Sequence, residues 1–219
     1  TRTSLILPRI LAWGRQHRRP FPWRGERDPY KLLVAEILLQ RSRSGTVADV
    51  YATFIARWPT ATDLVSAPAS DVRHLLYPIG FAKRAVALQN LATIYLTWAD
   101  TVITHAKLCK LPGVGKATAS SVTASLGLGQ VPIDSVSGRV YERAFGLVGD
   151  RLVETLTDGC NVLQLPTDEL NWSTLDLAAS TCLPKRPRCG QCPINEGCDW
   201  WATNQSPSAR AAPSEAHVD

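Results

Sequence analysis

The sequence predicts an all-α protein. Its 219 residues contain no convincing run of alternating apolar and polar residues, which a half-buried β-strand would require. Prolines and glycines instead separate stretches with helical spacing, and Asp28-Pro29 has the order of an N-cap followed by proline at the first helical position. A hydrophobic fraction of 45% is sufficient for a buried core.

These stretches predict helices over residues 29–40, 46–57, 69–76, 82–98, 101–110, 116–127, 135–146, 151–164 and 168–180. Two other segments are predicted to lack regular structure. The segment 182–198 contains three prolines and two glycines, so we expect an ordered loop. The tail over 204–219 is rich in Ser, Ala and Pro, and this composition predicts disorder.

Charge and hydropathy limit the class of partner. Lys and Arg outnumber Asp and Glu by 24 to 19, and the net charge of +5 permits a polyanionic partner without requiring one. No segment approaches the ~18 apolar residues of a membrane helix, and Leu5-Ile6-Leu7 is too short for a secretory signal. We therefore expect a protein of the cytoplasm or nucleoid with no membrane partner, where six cysteines serve poorly as disulfides.

Four of the cysteines lie within one short segment. They are Cys182, Cys189, Cys192 and Cys198, spaced C-x6-C-x2-C-x5-C. Four thiolates this close repel one another and oxidise unless a metal centre holds them. Zinc sites usually pair two short Cys-x2-4-Cys knuckles, and only one is present here. The spacing therefore favours a [4Fe–4S] cluster, with zinc as the alternative, and Cys109 and Cys160 are expected to be small buried apolar residues.

The segment Leu111-Pro112-Gly113-Val114-Gly115-Lys116 connects two predicted helices. Gly113 and Gly115 permit a sharp turn and the close approach of a ligand to the backbone. The start of the next helix offers unpaired N–H groups and the positive end of a helix dipole, and Lys116 and Thr118 can add contacts. The turn therefore predicts a phosphate site. An ordinary connection between two helices is the alternative, because it can have the same sequence pattern.

Two further basic segments are candidates for phosphate contacts. Lys83 follows a second glycine turn at Gly80. Lys185, Arg186 and Arg188 occupy the longest spacer between the cysteines, where a loop pressed against phosphates would need them. An ordinary solvated basic loop is the alternative for the second segment.

Two acidic residues are candidates for chemistry. Glu36 interrupts a predicted helix that is apolar nearly all round, and Gln40 follows one turn later on the same face. A carboxylate among apolar neighbours either faces a cleft or is costly to bury, so Glu36 suits a general acid; an incidental, partly exposed glutamate is the alternative. Asp134, in Val131-Pro132-Ile133-Asp134-Ser135, by itself predicts only a helix N-cap.

These motifs together resemble those of a known family. The resemblance rests on Phe21-Pro22-Trp23-Arg24, Asp28-Pro29-Tyr30-Lys31, Ala35 through Arg41, the Leu-Pro-Gly-Val-Gly segment and the spacing of the cysteines. Over nearly all of residues 5–200 the chain resembles the helix-hairpin-helix DNA glycosylases of the endonuclease III and adenine glycosylase type, and most of all the thymine/uracil–guanine mismatch glycosylases.

The resemblance implies an architecture of two helical lobes with a DNA-binding cleft between them. One lobe, over 27–130, would contain six helices and the helix-hairpin-helix motif. The other, formed by 1–26 and 131–203, would hold the [4Fe–4S] cluster in the C-terminal loop 182–198.

The resemblance also implies roles for individual residues. Glu36 and Asp134 occupy catalytic positions, and Gln40 and Arg41 lie near the gap that the extruded base leaves. Bifunctional relatives carry a nucleophilic lysine where this chain has Ala117, and an alanine cannot form a Schiff base. We therefore expect a glycosylase with little or no strand-cleaving lyase activity.

The implied function is that of a monofunctional DNA N-glycosylase of base excision repair, acting as a monomer on double-stranded DNA with a mispaired or damaged base. Thymine or uracil opposite guanine is the first expectation. Ala117 replaces a typical tyrosine, and Val136 replaces an asparagine or histidine, so adenine or a larger modified base is the alternative. A non-catalytic iron–sulfur DNA-binding protein is a second alternative. The polar face that Glu36 and Gln40 form on an apolar helix argues against it.

Overall fold

The computed structural model describes residues 1–80, 84–98 and 102–204, and within these ranges it is helical without any β-strand. The all-α class is confirmed. The α-helices are α1 (Arg2–Gln16), α2 (Pro29–Leu39), α3 (Ser44–Arg57), α4 (Ala61–Ser66), α5 (Ala69–Leu76), α6 (Arg84–Leu96), α7 (His105–Leu108), α8 (Lys116–Ser125), α9 (Ser135–Phe145), α10 (Gly149–Leu163), α11 (Thr167–Ser180) and α12 (Asp199–Asn204). None of the helices in these ranges is both long and apolar enough to cross a membrane.

The chain divides into two compact units. The first, which we call the hairpin unit, consists of residues 19–132. The second, which we call the cysteine unit, consists of residues 1–18 and the described residues from 133 onward. The lobe limits implied by the family resemblance stay a prediction.

Helix α2 forms the centre of the hairpin unit. It begins as the sequence predicts, because the Asp28 side chain accepts a hydrogen bond from the Tyr30 amide at 2.9 Å and Pro29 occupies the first turn. Leu33 and Leu38 are completely buried, and α2 packs against α3, α6 and α8. A helix buried on several sides leaves few polar atoms room for water, so its polar side chains need partners within the protein.

The cysteine unit is built on the packing of α1 and α9 against α11. Gly14 of α1 lies so close to Ser173 of α11 that no side chain fits between the two helices. The fully buried Tyr141 of α9 shares a 2.7 Å hydrogen bond with the Thr174 hydroxyl of α11. A small residue on one interface and a satisfied buried hydroxyl on the other hold α11 at the centre of this unit.

Most predicted helices are found within two residues of their expected ends. The prediction over 101–110 was wrong, because α7 spans only His105–Leu108: Thr104 caps it by accepting from the Lys107 amide. Helix α4 was missed, although the capping box of Thr60 and Asp63 is a local signal for it.

The C-terminal expectations have a mixed outcome. Helix α12 was missed, and Asn204 is its last residue instead of the first residue of a disordered tail. Residues 205–219, where most of that tail was predicted, lie outside the described ranges. The segment 182–198 is a loop as predicted, with short 3-10 turns at Cys189–Gln191 and Asn195–Gly197.

The close approach of α1 and α11 gives a stability prediction. A Cβ atom added to Gly14 would lie 2.7 Å from the Ser173 Cα, a backbone atom that cannot move aside on its own. We expect Gly14→Ala to lower the free energy of unfolding by about 1–3 kcal/mol, as overpacking does elsewhere. Chemical denaturation of the purified protein measures this change.

Gly45 of α3 is the matched control, because nothing lies within 4 Å of a Cβ atom added there. Gly45→Ala should raise the free energy of unfolding by up to about 1 kcal/mol, since alanine has the better helix propensity. If Gly14→Ala and the unmodified protein unfolded at the same denaturant concentration, the tight packing of α1 on α11 would be contradicted.

Candidate active site

Glu36 is a half-buried carboxylate on α2, between the buried residues Ala35 and Ile37. Its Oε1 atom accepts a 2.7 Å hydrogen bond from the hydroxyl of Ser121 on α8. The glutamate that was predicted to be catalytic therefore lies beside α8, the helix that follows the Gly113–Gly115 turn. A side chain of α8 fixes its orientation in part.

Gln40 links the end of α2 to the glycine turn. Its Nε2 atom donates to the Gly113 carbonyl at 2.9 Å and lies 3.5 Å from the Thr118 hydroxyl. The resemblance implied a position for Gln40 beside the gap in a DNA duplex. The side-chain amide ties two elements of the hairpin unit together, and the place of Gln40 beside the DNA gap stays a prediction.

Arg84 of α6 satisfies the carbonyl groups at the end of α2. Its guanidinium donates to the Ile37 carbonyl and, at 2.8 Å, to the Gln40 carbonyl. Burial first, and then the nearby charge of Arg41, lower the pKa of Arg84. A cation at this place also balances the negative end of the α2 dipole.

Arg41 follows directly and has an unusual backbone. Its φ of +57° lies in the left-handed region, which residues with a Cβ atom rarely adopt, and its side chain is exposed.

The turn between α7 and α8 has the geometry of a hairpin. Leu111 and Val114 are buried and anchor it, while Gly113 has a φ of +79° that its lack of a Cβ atom permits. His105 on α7 is 3.2 Å from the Lys116 carbonyl on α8, which bridges the two helices.

The N-terminus of α8 is open to solvent. Gly115 occupies the N-cap position and offers no side chain to the first amides of the helix. Gly115, Lys116 and Ala117 are exposed, and Thr118 is half-buried. Unpaired amides at a helix start, beside a lysine, can hold an anion. Lys83, the other basic residue predicted near a turn, lies outside the described residues.

Asp134 caps α9 in the cysteine unit. Its Oδ1 atom accepts hydrogen bonds from the amides of Val136 and Ser137, both at 2.7 Å, and from the Ser137 hydroxyl at 3.0 Å. Asp134 is exposed, and among the described residues no hydrogen bond reaches its Oδ2 atom. One oxygen therefore fixes the carboxylate and the other can meet a ligand.

The four clustered cysteines line one small cavity in the cysteine unit. The remaining walls include the apolar side chains of Val140, Leu177, Ile194 and Trp200. Within the described residues, no three His, Cys, Asp or Glu side chains are close enough to share one metal ion. A zinc ion needs its sulfur ligands about 2.3 Å from a single point. Four thiols that line one cavity with apolar walls fit an iron–sulfur cluster, which they would hold as thiolates.

Protonation of the thiols is coupled to cluster binding. Burial, reinforced by the neighbouring cysteines, raises the pKa of Cys192 to about 11. Burial and the charges of Cys198 and Cys182 likewise raise the pKa of Cys189. Since iron binds the thiolate, cluster binding would release the protons that Cys189 and Cys192 otherwise retain at neutral pH.

Arg143 of α9 anchors the cysteine loop. Its guanidinium donates to the Leu183 and Pro184 carbonyls at 2.8 and 2.7 Å, and lies 3.4 Å from the Cys182 sulfur. The Arg143 carbonyl accepts from the Cys198 thiol. One residue therefore touches both ends of the loop. Lys185, Arg186 and Arg188 are exposed on the same loop.

Sequence reasoning did not identify the roles of Ser121, Arg84 and Arg143. Their contacts join residues 85, 44 and 39 positions apart, respectively, so no local spacing announces them. An arginine in the last turn of a helix is a general signal for dipole compensation, but it does not indicate that Arg143 meets a cysteine loop.

Comparison with known proteins assigns the two motif regions to families. Residues 34–166 match the family described as HhH-GPD superfamily base excision DNA repair protein. Residues 182–198 match the iron–sulfur binding domain of endonuclease III. The two matches cover the hairpin with Glu36 and Asp134, and all four clustered cysteines.

Individual relatives are consistent with these family matches. The chain is 30% identical over 212 residues to thymine/uracil-DNA glycosylase of Methanothermobacter thermautotrophicus, covering 90% of this chain and 94% of the relative. It is also 30% identical over 209 residues to adenine DNA glycosylase of Mycobacterium tuberculosis strain H37Rv, covering 91% and 68%. The solved structure of a thermostable thymine-DNA glycosylase matches with a TM-score of 0.80 and 27% identity over 92% of this chain and 97% of that one.

The anchoring contacts of Arg143 predict an effect on metal retention. We expect Arg143→Ala to bind iron about 10- to 100-fold more weakly, a loss typical when a residue that supports metal ligands is removed. Iron per chain, and the rate at which a chelator removes it, measure the change in purified protein.

Arg151, an exposed arginine in the first turn of α10, is the control. Arg151→Ala should keep the iron content of the unmodified protein. Identical iron content and chelator resistance in Arg143→Ala would show that the loop holds its ligands without this anchor.

Proposed function

This chain belongs to the HhH-GPD superfamily of base excision DNA repair proteins, and from that premise we propose that it excises thymine or uracil mispaired with guanine from duplex DNA without cleaving the strand. It is a DNA glycosylase that carries a [4Fe–4S] cluster. The mispair preference, the missing lyase step, the residue roles and action as a monomer are the proposed parts.

The observation that carries the proposal is the position of Glu36. A half-buried carboxylate on an otherwise apolar helix, held from the hairpin by Ser121, has the environment of a general acid aimed at a bound base. Cleavage of a glycosidic bond develops negative charge on the departing base. We assign Glu36 to the base, where it donates or shares a proton as the bond breaks.

Asp134 takes the complementary role at the sugar. The breaking bond leaves positive charge on the deoxyribose, and a fixed carboxylate stabilises that charge without reorganising. The three hydrogen bonds to Oδ1 supply the fixation. Oδ2 is the atom that we assign to the sugar and to the attacking water.

The hairpin would hold the DNA backbone. Gly113 and Gly115 let a phosphate approach the start of α8, where Lys116 and Thr118 add side-chain contacts. The target base must leave the stack before it can be cleaved, and a side chain must occupy the gap. We assign this wedge to Arg41, which is exposed, and not to Gln40, whose amide is bonded to the hairpin.

The absence of a lyase step is proposed from Ala117. Strand cleavage by bifunctional glycosylases requires a lysine amine that attacks the sugar, and the methyl group of Ala117 cannot do so. Lys116 is adjacent in sequence, but successive residues point about 100° apart around a helix. We therefore assign Lys116 to phosphate.

A panel of duplexes tests the activity. The purified protein should leave abasic sites in duplexes with T·G or U·G pairs, and strand breaks should appear only after alkali. Faster excision of adenine opposite 8-oxoguanine would overturn the mispair preference. Release of no base from any of these duplexes would favour the non-catalytic alternative.

Substitution of the two carboxylates tests their roles. Glu36→Gln and Asp134→Asn should each slow base release at least about 100-fold under single-turnover conditions. Asparagine also caps helices well, so Asp134→Asn should keep α9 intact. Asp150→Asn, an exposed acidic residue in the first turn of α10, is the control and should excise normally. Undiminished turnover in Asp134→Asn would remove this residue from the mechanism.

The two glycines of the hairpin allow binding to be separated from folding. Gly115 has ordinary backbone angles and open space around it, so Gly115→Ala should lower the free energy of unfolding by no more than about 1 kcal/mol, which is the cost of alanine at a helix N-cap. Its new Cβ atom should nevertheless weaken duplex binding about tenfold, because it blocks the approach of a phosphate. Fluorescence anisotropy with a labelled duplex measures the affinity.

Gly113→Ala provides the contrast, because its left-handed φ makes alanine cost about 1–2 kcal/mol of stability. Unchanged DNA affinity in Gly115→Ala would mean that the phosphate lies elsewhere.

A further inference from the structure

We propose that Ser121 is a positioning residue that orients the Glu36 carboxylate for base excision. The inference rests on the proposed function of Glu36 and goes beyond it, because Ser121 belongs to none of the motifs from which the catalytic residues were predicted. Ser121 acts through Glu36 and makes no contact with the base in this assignment.

The first argument is the choice of partner. Serine and threonine within helices commonly donate to the carbonyl four residues earlier. Many in this chain do so, among them Thr53, Thr93, Thr123, Thr155, Thr157, Ser173, Thr174 and Ser180. Ser121 departs from this pattern and donates across to Glu36, 85 residues earlier in the chain. Ser121 therefore bonds to a distant helix, whereas those residues bond within their own helix.

The second argument is the strength and direction of the contact. A hydroxyl that donates to a carboxyl oxygen at 2.7 Å makes a short hydrogen bond, which limits the rotation of the carboxyl group. Both side chains are half-buried, so water competes weakly for the same atoms. Of the two carboxylate oxygens, Oε1 is the one that Ser121 holds.

The third argument is that other contacts, and not the Ser121 bond, hold α2 against the hairpin. Gln40 makes a separate link between α2 and the hairpin through the Gly113 carbonyl. The apolar packing of α2 against α8 is a further link. Removal of the Ser121 hydroxyl therefore leaves the helices docked and changes the freedom of the Glu36 side chain alone.

Ser121 also lies on the face of α8 that carries Ala117, because residues four apart in a helix are neighbours. Ala117 is exposed and presents only a methyl group there. Ser121 is therefore the residue on this face of α8 that bonds to the Glu36 carboxyl group and helps to set its direction. Misplacement of a catalytic group by about 1 Å can slow a reaction about 100-fold.

The test compares single-turnover excision from a mispaired duplex by three variants. Ser121→Ala should lower the rate about 10- to 100-fold while the duplex dissociation constant changes less than about twofold, since positioning affects the chemical step. Ser121→Thr keeps a hydroxyl and should recover most of the rate. Ser120→Ala, next to it on α8, is the control and should match the unmodified protein.

A double-mutant cycle separates positioning from a general structural effect. In the Glu36→Gln background, Ser121→Ala should have little further effect on the residual rate, because the group that Ser121 orients is gone. An equal loss in both backgrounds, or full activity of Ser121→Ala, would overturn the proposal. If the unmodified protein excises no base, the proposed function fails instead, so the two failures are distinct.

Discussion

The polar atoms of a helix at the centre of a unit must be satisfied by the protein, and this constraint organises the hairpin unit. Helix α2 is apolar on nearly every side, yet it carries Glu36, Gln40 and the unpaired carbonyls of its last turn. Ser121 meets the first, the Gly113 carbonyl meets the second and Arg84 meets the third. Because each partner comes from a distant element, the same contacts that permit burial of α2 also set the position of the glutamate relative to the hairpin.

This arrangement explains why an exposed arginine follows so constrained a helix end. Arg84 holds the carbonyls of Ile37 and Gln40, and the chain then turns through the left-handed conformation of Arg41. A residue with a Cβ atom in this conformation carries a cost of about 1–2 kcal/mol, which the bonded helix end can sustain. The strained residue is Arg41, which we assign to the gap in the DNA. A side chain that fills such a gap needs rigid support, and the bonded end of α2 supplies it.

Local patterns predicted the elements, and long-range contacts account for what they missed. Asp28-Pro29 marked the start of α2, and the spacing of the cysteines indicated the loop and its cluster, because caps and ligand spacings are local in sequence. Residues 101–110 were predicted as one helix, but Thr104 could cap a late start equally well. Ser121 belongs to none of the predicted motifs. Its partner lies 85 residues away, and no periodicity within α8 distinguishes it from Ser120.

Helix α9 extends the same logic to the cysteine unit, since its two ends carry the two functional features of that unit. Asp134 caps its N-terminus, where the positive end of the dipole favours a carboxylate, and Arg143 lies in its last turn, where a cation is favoured. Arg143 lies nine positions after Asp134, which corresponds to about 13.5 Å along a helix that rises 1.5 Å per residue. Because Arg143 binds the carbonyls at the start of the cysteine loop, a loaded cluster would restrain the far end of the helix that presents Asp134. A loaded cluster would in this way support the helix that carries Asp134, the carboxylate that we assign to the sugar.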